Sequence, residues 1–347
     1  MAYTTIDDPS EYFHTQLYTG TGSTNAITND ANAGNFKPDW LWIKQRNTTR
    51  SHRLITSSFS STYLQSNLSD AEASNDVVNS LDTDGFTLSS PASVNQSSGT
   101  YVAWQWKANG GTTSSNTDGS ITSTVQANTT AGFSIVTYTG TGSNATVGHG
   151  LGTTPQMYWV KRRSSDEHWQ IYSEVFGGTH TFQMSAPGDP AQDRDNRFND
   201  TAPTSSVFSL GSHASTNGSS DTYVAYCFAN IKGYSKFGSY EGNGNADGPF
   251  VYTGFKPAWV WVKNADTSST SYNMLDSTRD TSNPLSSYIN ADENNAEASF
   301  NIYDFLSNGF KSINGGSTFN KSGDTHIYMA FAEHPFVSSK GVPVTAR

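Results

Sequence analysis

The sequence predicts an all-β protein of three tandem β-sandwich repeats, jelly-roll-like or lectin-like, and three observations carry that expectation. Charged residues are only 14% of the 347 and aromatics reach 13%, with abundant Gly, Ser, Thr and Asn. Segments rich in the helix formers Ala, Leu, Glu and Lys are few. Short β-branched and aromatic runs between Gly and Asn favour strands. Third, a set of landmarks recurs three times in one order, the signature of an internal repeat.

The first landmark is YTGTGS, at Tyr18–Ser23 and Tyr138–Ser143, with a weaker copy, YEGNGN, at Tyr240–Asn245. The second is a proline followed by an aromatic strand and a lysine: PDWLWIK from Pro38, PQMYWVK from Pro155 and PAWVWVK from Pro257. The third is a tyrosine strand, YVAW from Tyr101, YVAY from Tyr223 and YMAF from Tyr328. From first to second copy the offsets are 120, 117 and 122 residues, and from second to third 102, 102 and 105. DGFTL from Asp84, VFSL from Val207 and NGFK from Asn308 precede each tyrosine strand in the same way.

A unit of about 100 residues buries its own core, unlike a solenoid repeat of about 34. The expected organisation is an N-terminal arm over 1–13, repeats over 14–110, 131–232 and 233–336, a linker over 111–130 and a C-terminal tail over 337–347. The linker reads GGTTSSNTDGSITSTVQANTT from Gly110, flexible in composition, with one strand expected at Ile121–Val125. Only ANIKGYSKF (Ala229–Phe237) separates copies two and three. Those two are therefore expected to pack tightly, leaving copy one as a separable unit. Two sandwiches, with copies two and three fused, are the structural alternative.

Period-2 alternation splits each Pro-aromatic strand into two faces. Leu41 and Ile43 correspond to Tyr158 and Val160, then to Val260 and Val262. The opposite face carries Trp40, Trp42 and Lys44, then Met157, Trp159 and Lys161, then Trp259, Trp261 and Lys263. Both faces are apolar, which predicts a central strand with its lysine emerging at the rim. In the tyrosine strand, Ala103, Ala225 and Ala330 leave room for close packing beside Trp104, Tyr226 and Phe331. Trp42, Trp159, Trp261, Tyr101, Tyr223 and Tyr328 are thus expected core landmarks and not sugar platforms.

A net charge of −10 and a pI near 5.1 argue against nucleic acid, which needs clustered Lys and Arg. The basic knots, Lys161–Arg163 and the pair Arg50 and Arg53, are too small to track a phosphate backbone. The single Cys227 excludes an intrachain disulfide and reads as a small core hydrophobe. No apolar run approaches the roughly 20 residues of a membrane span, and MAYTTIDDPSEYF lacks the pattern of a signal peptide. Synthesis in a cytoplasm without cleavage is therefore expected. N-x-S/T triplets such as Asn47-Thr48-Thr49 read as turn chemistry, not glycan acceptors.

No G-x-S-x-G elbow, H-E-x-x-H or Cys–His pair is present, and none of the eight histidines recurs in all three copies. The acidic stretch Gly188–Asp200, with Asp189, Asp193, Asp195 and Asp200, lacks EF-hand spacing and reads as a solvated loop with ion pairs. Asp292 and Glu293 receive no role. The glycine stretches follow a strand but open no helix, so a tight turn is expected in place of a phosphate cradle. No catalytic residue, metal ligand or cofactor is predicted, and the chain is expected not to be an enzyme.

GFSIVTYTGTGS (Gly132–Ser143), VGHGLG (Val147–Gly152) and Pro155 resemble a repeat module of virion structural proteins in marine tailed bacteriophages. SVFSLG from Ser206, DTYVAYCF from Asp221, GYSKFG from Gly233, FLSNGF from Phe305 and DGPFVYTGFKP from Asp247 are similar in the same way. MAYTTIDDPSEYF looks like the start of such proteins in cyanophages and pelagiphages. The resemblance implies a component on the virion surface, either capsid decoration or a tail fibre or appendage. Its partners would be other virion proteins, and a homo-oligomer, a trimer among the forms, is expected. No shaft repeat or heptad appears, which favours decoration. The termini would be arms docking onto a neighbouring protein, or disordered tails.

Two further readings stand beside it. A glycan-binding module for host adsorption predicts exposed loop aromatics, with Trp169 in SDEHWQ and Tyr272 as candidate contacts. A polysaccharide-degrading enzyme would need paired carboxylates within about 10 Å.

Overall fold

A computed structural model describes residues 2–30, 35–74, 76–185 and 189–344. The fold is an all-β sandwich assembly. Antiparallel strands dominate, and each α-helix is a single turn of four residues. Among the described residues no helix is long and apolar enough to cross a membrane.

One strand order recurs in each repeat. In the first, Phe13–Thr19 pairs with Thr100–Trp106, which pairs with Trp40–Gln45, which pairs with Arg53–Thr56. In the second the order is Phe133–Thr139, Thr222–Phe228, Met157–Arg162 and Trp169–Ser173. In the third it is Ser235–Glu241, Thr325–Pro335, Phe255–Asn264 and Asn273–Asp276. The Pro-aromatic strand is central each time, as its two apolar faces require.

The register corrects one landmark. Tyr18 faces Tyr101 and Tyr138 faces Tyr223, but Tyr240 faces His326. The third counterpart of Tyr101 and Tyr223 is therefore His326, and Tyr328 lies two residues further on. The ring pairs agree: stacked centroids are 4.9, 5.1 and 4.9 Å apart for Tyr18–Tyr101, Tyr138–Tyr223 and Tyr240–His326. A slip of two keeps the side chain on the same face, so Tyr328 is still buried, in the inner core of repeat three.

Each central sheet is buried on both sides. One face packs on its own repeat: Leu41, Ile43 and Tyr101 in the first, Tyr158, Val160 and Tyr223 in the second, Val260 and Val262 in the third. The opposite, tryptophan-bearing faces meet in one shared core. There Trp40 stacks on Tyr226 at 4.5 Å, Trp159 lies 5.4 Å from Trp261, and Trp106 lies 5.6 Å from Trp259. Copy one, expected as a separable unit, thus packs on both others, with its four tryptophans in the core shared with repeats two and three.

The repeats touch in a ring. The residue two positions after each lysine accepts a backbone bond from a loop of another repeat. Glu297 N–H donates to Arg46 O at 2.8 Å, Glu72 to Arg163 at 2.9 Å and Ala191 to Ala265 at 2.8 Å. Repeat one thus meets three, two meets one, and three meets two, the same heterologous contact closing on itself.

The segments outside the repeats also depart from expectation. The linker holds two strands, Ser114–Asn116 and Ser123–Asn128, and the second extends the sheet of repeat two beside Phe133–Thr139. The N-terminal arm docks on its own chain: Tyr3 Oη donates to Gly254 O at 2.8 Å, and Ile6 is buried. Ser339 of the tail donates its N–H to Asp7 at 2.6 Å. Tail residues 345–347 lie outside the described residues.

Candidate functional site

The YTGTGS stretch is a clamp around a buried asparagine. Tyr18, Tyr138 and Tyr240 donate their hydroxyls to Val94 O, Thr216 O and Phe319 O at 2.8, 2.7 and 2.6 Å. These carbonyls belong to the one-turn helices that end at Asn95, Asn217 and Asn320. Each asparagine Oδ1 accepts a backbone N–H from the turn, from Thr21, Thr141 and Asn243, at 2.8 Å each time. Each Nδ2 donates to a turn carbonyl, that of Ser23, Ser143 or Asn245.

Both glycines of the turn are needed. A Cβ at Gly20, Gly140 or Gly242 would sit 2.2, 2.3 or 2.2 Å from a backbone oxygen, and Gly22, Gly142 and Gly244 hold φ of +76°, +75° and +71°. The turn's hydrogen-bonding groups therefore point inward at the asparagine, which leaves no phosphate cradle. Sequence reasoning missed these asparagines. The signal was an Asn-x-Ser triplet six residues before Tyr101, Tyr223 and His326.

The three lysines are fully buried at the seams between repeats and do not emerge at the rim. Lys161 Nζ donates to Ser69 O of repeat one at 3.1 Å and to Arg162 O at 2.7 Å. Lys44 Nζ donates to Gln45 O at 2.6 Å and Lys263 Nζ to Thr270 Oγ1 at 2.9 Å. Burial drops all three to about 8, because the charged form loses water. Nearby, burial pushes Asp292 up to about 7 while its carboxylate accepts the Tyr272 N–H at 3.0 Å.

Trp169 and Tyr272, expected as exposed glycan contacts, are both fully buried. They are copies of one position, the residue just before the one that pairs with Val160 or Val262, and His52, just before the partner of Ile43, is the third. All three sit at a seam against an aromatic of the shared core. Trp169 Nε1 donates to Gln65 O of repeat one at 2.9 Å, and Tyr272 lies 5.2 Å from Trp261. Trp42 Nε1 donates to His52 Nδ1 at 2.8 Å. The imidazole therefore carries its proton on Nε2, which donates to Asn290 O and Glu293 O of repeat three at 3.0 and 3.1 Å. Burial drops His52 to about 3.

Ion pairs lock two seams. Arg46 pairs with Glu297 at 2.7 Å and Arg163 with Glu72 at 2.8 Å. Glu297 also receives the fully buried Arg279, which binds Asp276 at 2.5 Å, and Asp276 in turn accepts Trp104 Nε1 of repeat one at 3.1 Å. Of the acidic stretch, Asp189 pairs with Arg194 at 2.9 Å, and Gly188 lies outside the described residues. Among the described residues, no three His, Cys, Asp or Glu side chains are grouped to hold a metal ion. Cys227 is buried, and its thiol is pushed far above its usual range by that burial.

A groove of about 710 Å³ opens where repeat one meets repeat three. Phe13, Thr15 and Asp30 form one wall and Ala258, Ser277 and Glu333 the other. The Glu333 carboxylate takes Lys256 Nζ at 2.8 Å.

The chain belongs to the family described as a domain of unknown function, DUF7483, whose model matches residues 8–335. That match extends across all three repeats. No curated protein and no solved structure matches the chain.

Proposed function

We propose that this member of the DUF7483 family is a non-enzymatic structural protein of a tailed-bacteriophage virion. It is carried on the particle surface as capsid decoration or as a tail fibre or appendage. The carrying observation is where the recurrent residues go. The tryptophans end in the core that the repeats share, the lysines are buried, and the clamped asparagines brace the turn of each repeat, so what is repeated three times holds the body together. A body with one shared core and the same backbone bond at three seams suits a particle component that works by shape and contact. The resemblance of its strands and turns to marine-phage virion modules supports the same reading. Partners are then other virion proteins, and assembly with further copies is part of the proposal.

The test is the composition of gradient-purified particles. Peptides of this chain in their mass spectrum, with density for a three-sandwich ring on head or tail, are expected. Particles that lack the chain overturn the reading.

Host-glycan binding remains the second reading, on different residues from those expected. Tyr252, Phe250 and Phe300 of repeat three are 55%, 46% and 60% exposed. A glycan array on which Tyr252→Ala abolishes a wild-type signal supports it, and a blank array with the wild-type protein removes it.

A further inference from the structure

The groove between repeats one and three runs along an unpaired sheet edge. Phe13–Thr19 ends its sheet, with Thr100–Trp106 on one side and no strand on the other among the described residues. Lys107 N–H donates to Tyr12 O, and Gly20 N–H to Gly99 O. In an antiparallel ladder this sends the even-numbered residues to the partner strand and turns the backbone groups of Phe13, Thr15, Leu17 and Thr19 outward. Side-chain amides of Gln16 and Asn25 hold the Leu17 and Thr19 carbonyls, standing in for main-chain donors.

The internal copies show what such an edge takes. In repeat two it is covered by Ser123–Asn128, with Asn128, Gln126 and Thr124 opposite Phe133, Ile135 and Thr137. Buried Gln126 reaches across the seam, its Nε2 donating to Ser57 Oγ of repeat one at 2.9 Å. In repeat three the matching N–H, that of Phe237, is met by Asn230 Oδ1 at 2.8 Å. The third equivalent is Thr15, whose N–H meets no acceptor among the described residues. The floors correspond as well: Ser57 N–H donates to Asp39 O at 2.9 Å, and in the open groove Ser277 N–H donates to Ala258 O at 2.8 Å.

Two residues that line the open groove each carry a polar atom buried without a hydrogen-bond partner, Thr15 Oγ1 and Glu333 Oε2. Thr15 is only 4% exposed. A buried hydroxyl left unpaired is costly, and a strand laid along the groove brings donors and acceptors to it. The charge of the lining is acidic. Asp7, Asp8, Asp30 and Glu333 surround it, while its one lysine, Lys256, is engaged by Glu333.

We propose that the groove beside Phe13–Thr19 is an acceptor site for an extended basic segment of a partner polypeptide, which adds antiparallel to that edge as Ser123–Asn128 adds in repeat two. Main-chain bonds to Phe13, Thr15 and the Leu17 N–H supply the register, and lysine or arginine on the groove-facing side meets the acidic wall. The inference stands on the internal copies and does not need the virion reading.

The probe is a fluorescent peptide with the sequence of residues 122–129 carrying Gln126→Lys and Asn128→Lys. Its control carries Gln126→Glu and Asn128→Glu. With the full chain, saturable binding of the lysine peptide is expected, about tenfold or more tighter than the control, as like charges across an interface are rejected. Amide exchange at Thr15 and Leu17 slows on binding. Leu17→Pro, which removes an outward N–H at an edge that tolerates proline, abolishes binding. Glu333→Lys narrows the preference for the lysine peptide and decides the matter if Leu17→Pro does not fold. No saturable binding, equal binding of the two peptides, unchanged exchange, or indifference to Glu333→Lys overturns the proposal.

Discussion

The shared core makes a claim about cooperativity that Trp159→Ala tests. Trp159 is fully buried, with ring centroids 5.9 Å from Trp42, 6.0 Å from Trp40 and 5.4 Å from Trp261, so it touches both other repeats. A tryptophan buries about 150–250 Å², which at about 25 cal/mol per Å² amounts to about 4–6 kcal/mol. Partial collapse of the walls brings this to the about 3–5 kcal/mol typical of Phe or Trp to Ala in a core. Against a domain stability of about 5–15 kcal/mol, that is about a fifth of the total or more. Because the walls of the cavity belong to three repeats, the loss falls on all of them. Amide exchange by mass spectrometry should show protection dropping together in the central strands of 14–110, 131–232 and 233–336, with one calorimetric transition at lower temperature. If protection falls only within 131–232, or a second transition stays in place, the repeats are independent and the shared core does not couple them.

The remaining predictions concern the clamp and the seam. Asn217→Ala strands Thr141 N–H and the carbonyls of Ser143 and Gly211. At about 1 kcal/mol for each lost bond, urea unfolding should show a loss of about 2–4 kcal/mol, and a loss below about 0.5 kcal/mol removes the clamp from the account. His52 is held at about 3 in the fold against about 6.5 in an unfolded chain, so its folded form is the proton-poor one. Its contribution is present above about pH 6.5 and is lost as pH falls towards 3. Stability of His52→Gln measured across that window should fall less steeply than that of the wild type, and parallel curves refute the assignment.

Local strings were legible in the sequence, while the partner of each face was not. The Pro-aromatic and YTGTGS landmarks fixed the repeat because each is a contiguous stretch with its own turn chemistry. The all-β class followed from the same runs. The tryptophan face was correctly read as core, but period-2 alternation does not distinguish a repeat's own core from one shared with two neighbours. Copy one looked separable for that reason. The third tyrosine strand slipped because His326 replaces the tyrosine of the other copies, and the offset of 105 against 102 was its trace. Trp169 and Tyr272 looked like loop aromatics because their polar neighbours bond across a seam. Glu167 N–H, for instance, donates to Ser69 O of repeat one at 2.7 Å. Such bonds have no periodicity along the chain to betray them.

The seams also show what joining the repeats in one chain permits. In a ring of identical subunits a substitution appears at every interface at once. Here each seam changes alone. All three keep the backbone bond two residues after the lysine, yet Arg–Glu pairs survive at Arg46 and Arg163, while alanines, Ala265 and Ala191, stand at the third. The sheet edges have diverged too, one covered by Ser123–Asn128, one met by Asn230, and one left open beside Phe13–Thr19. A ring of three equal sandwiches would offer a strand-shaped partner three acceptor edges. The proposed groove lies beside one of these edges, so a partner that uses it is expected to bind with a stoichiometry of one per ring and a fixed orientation on a body that is otherwise close to threefold.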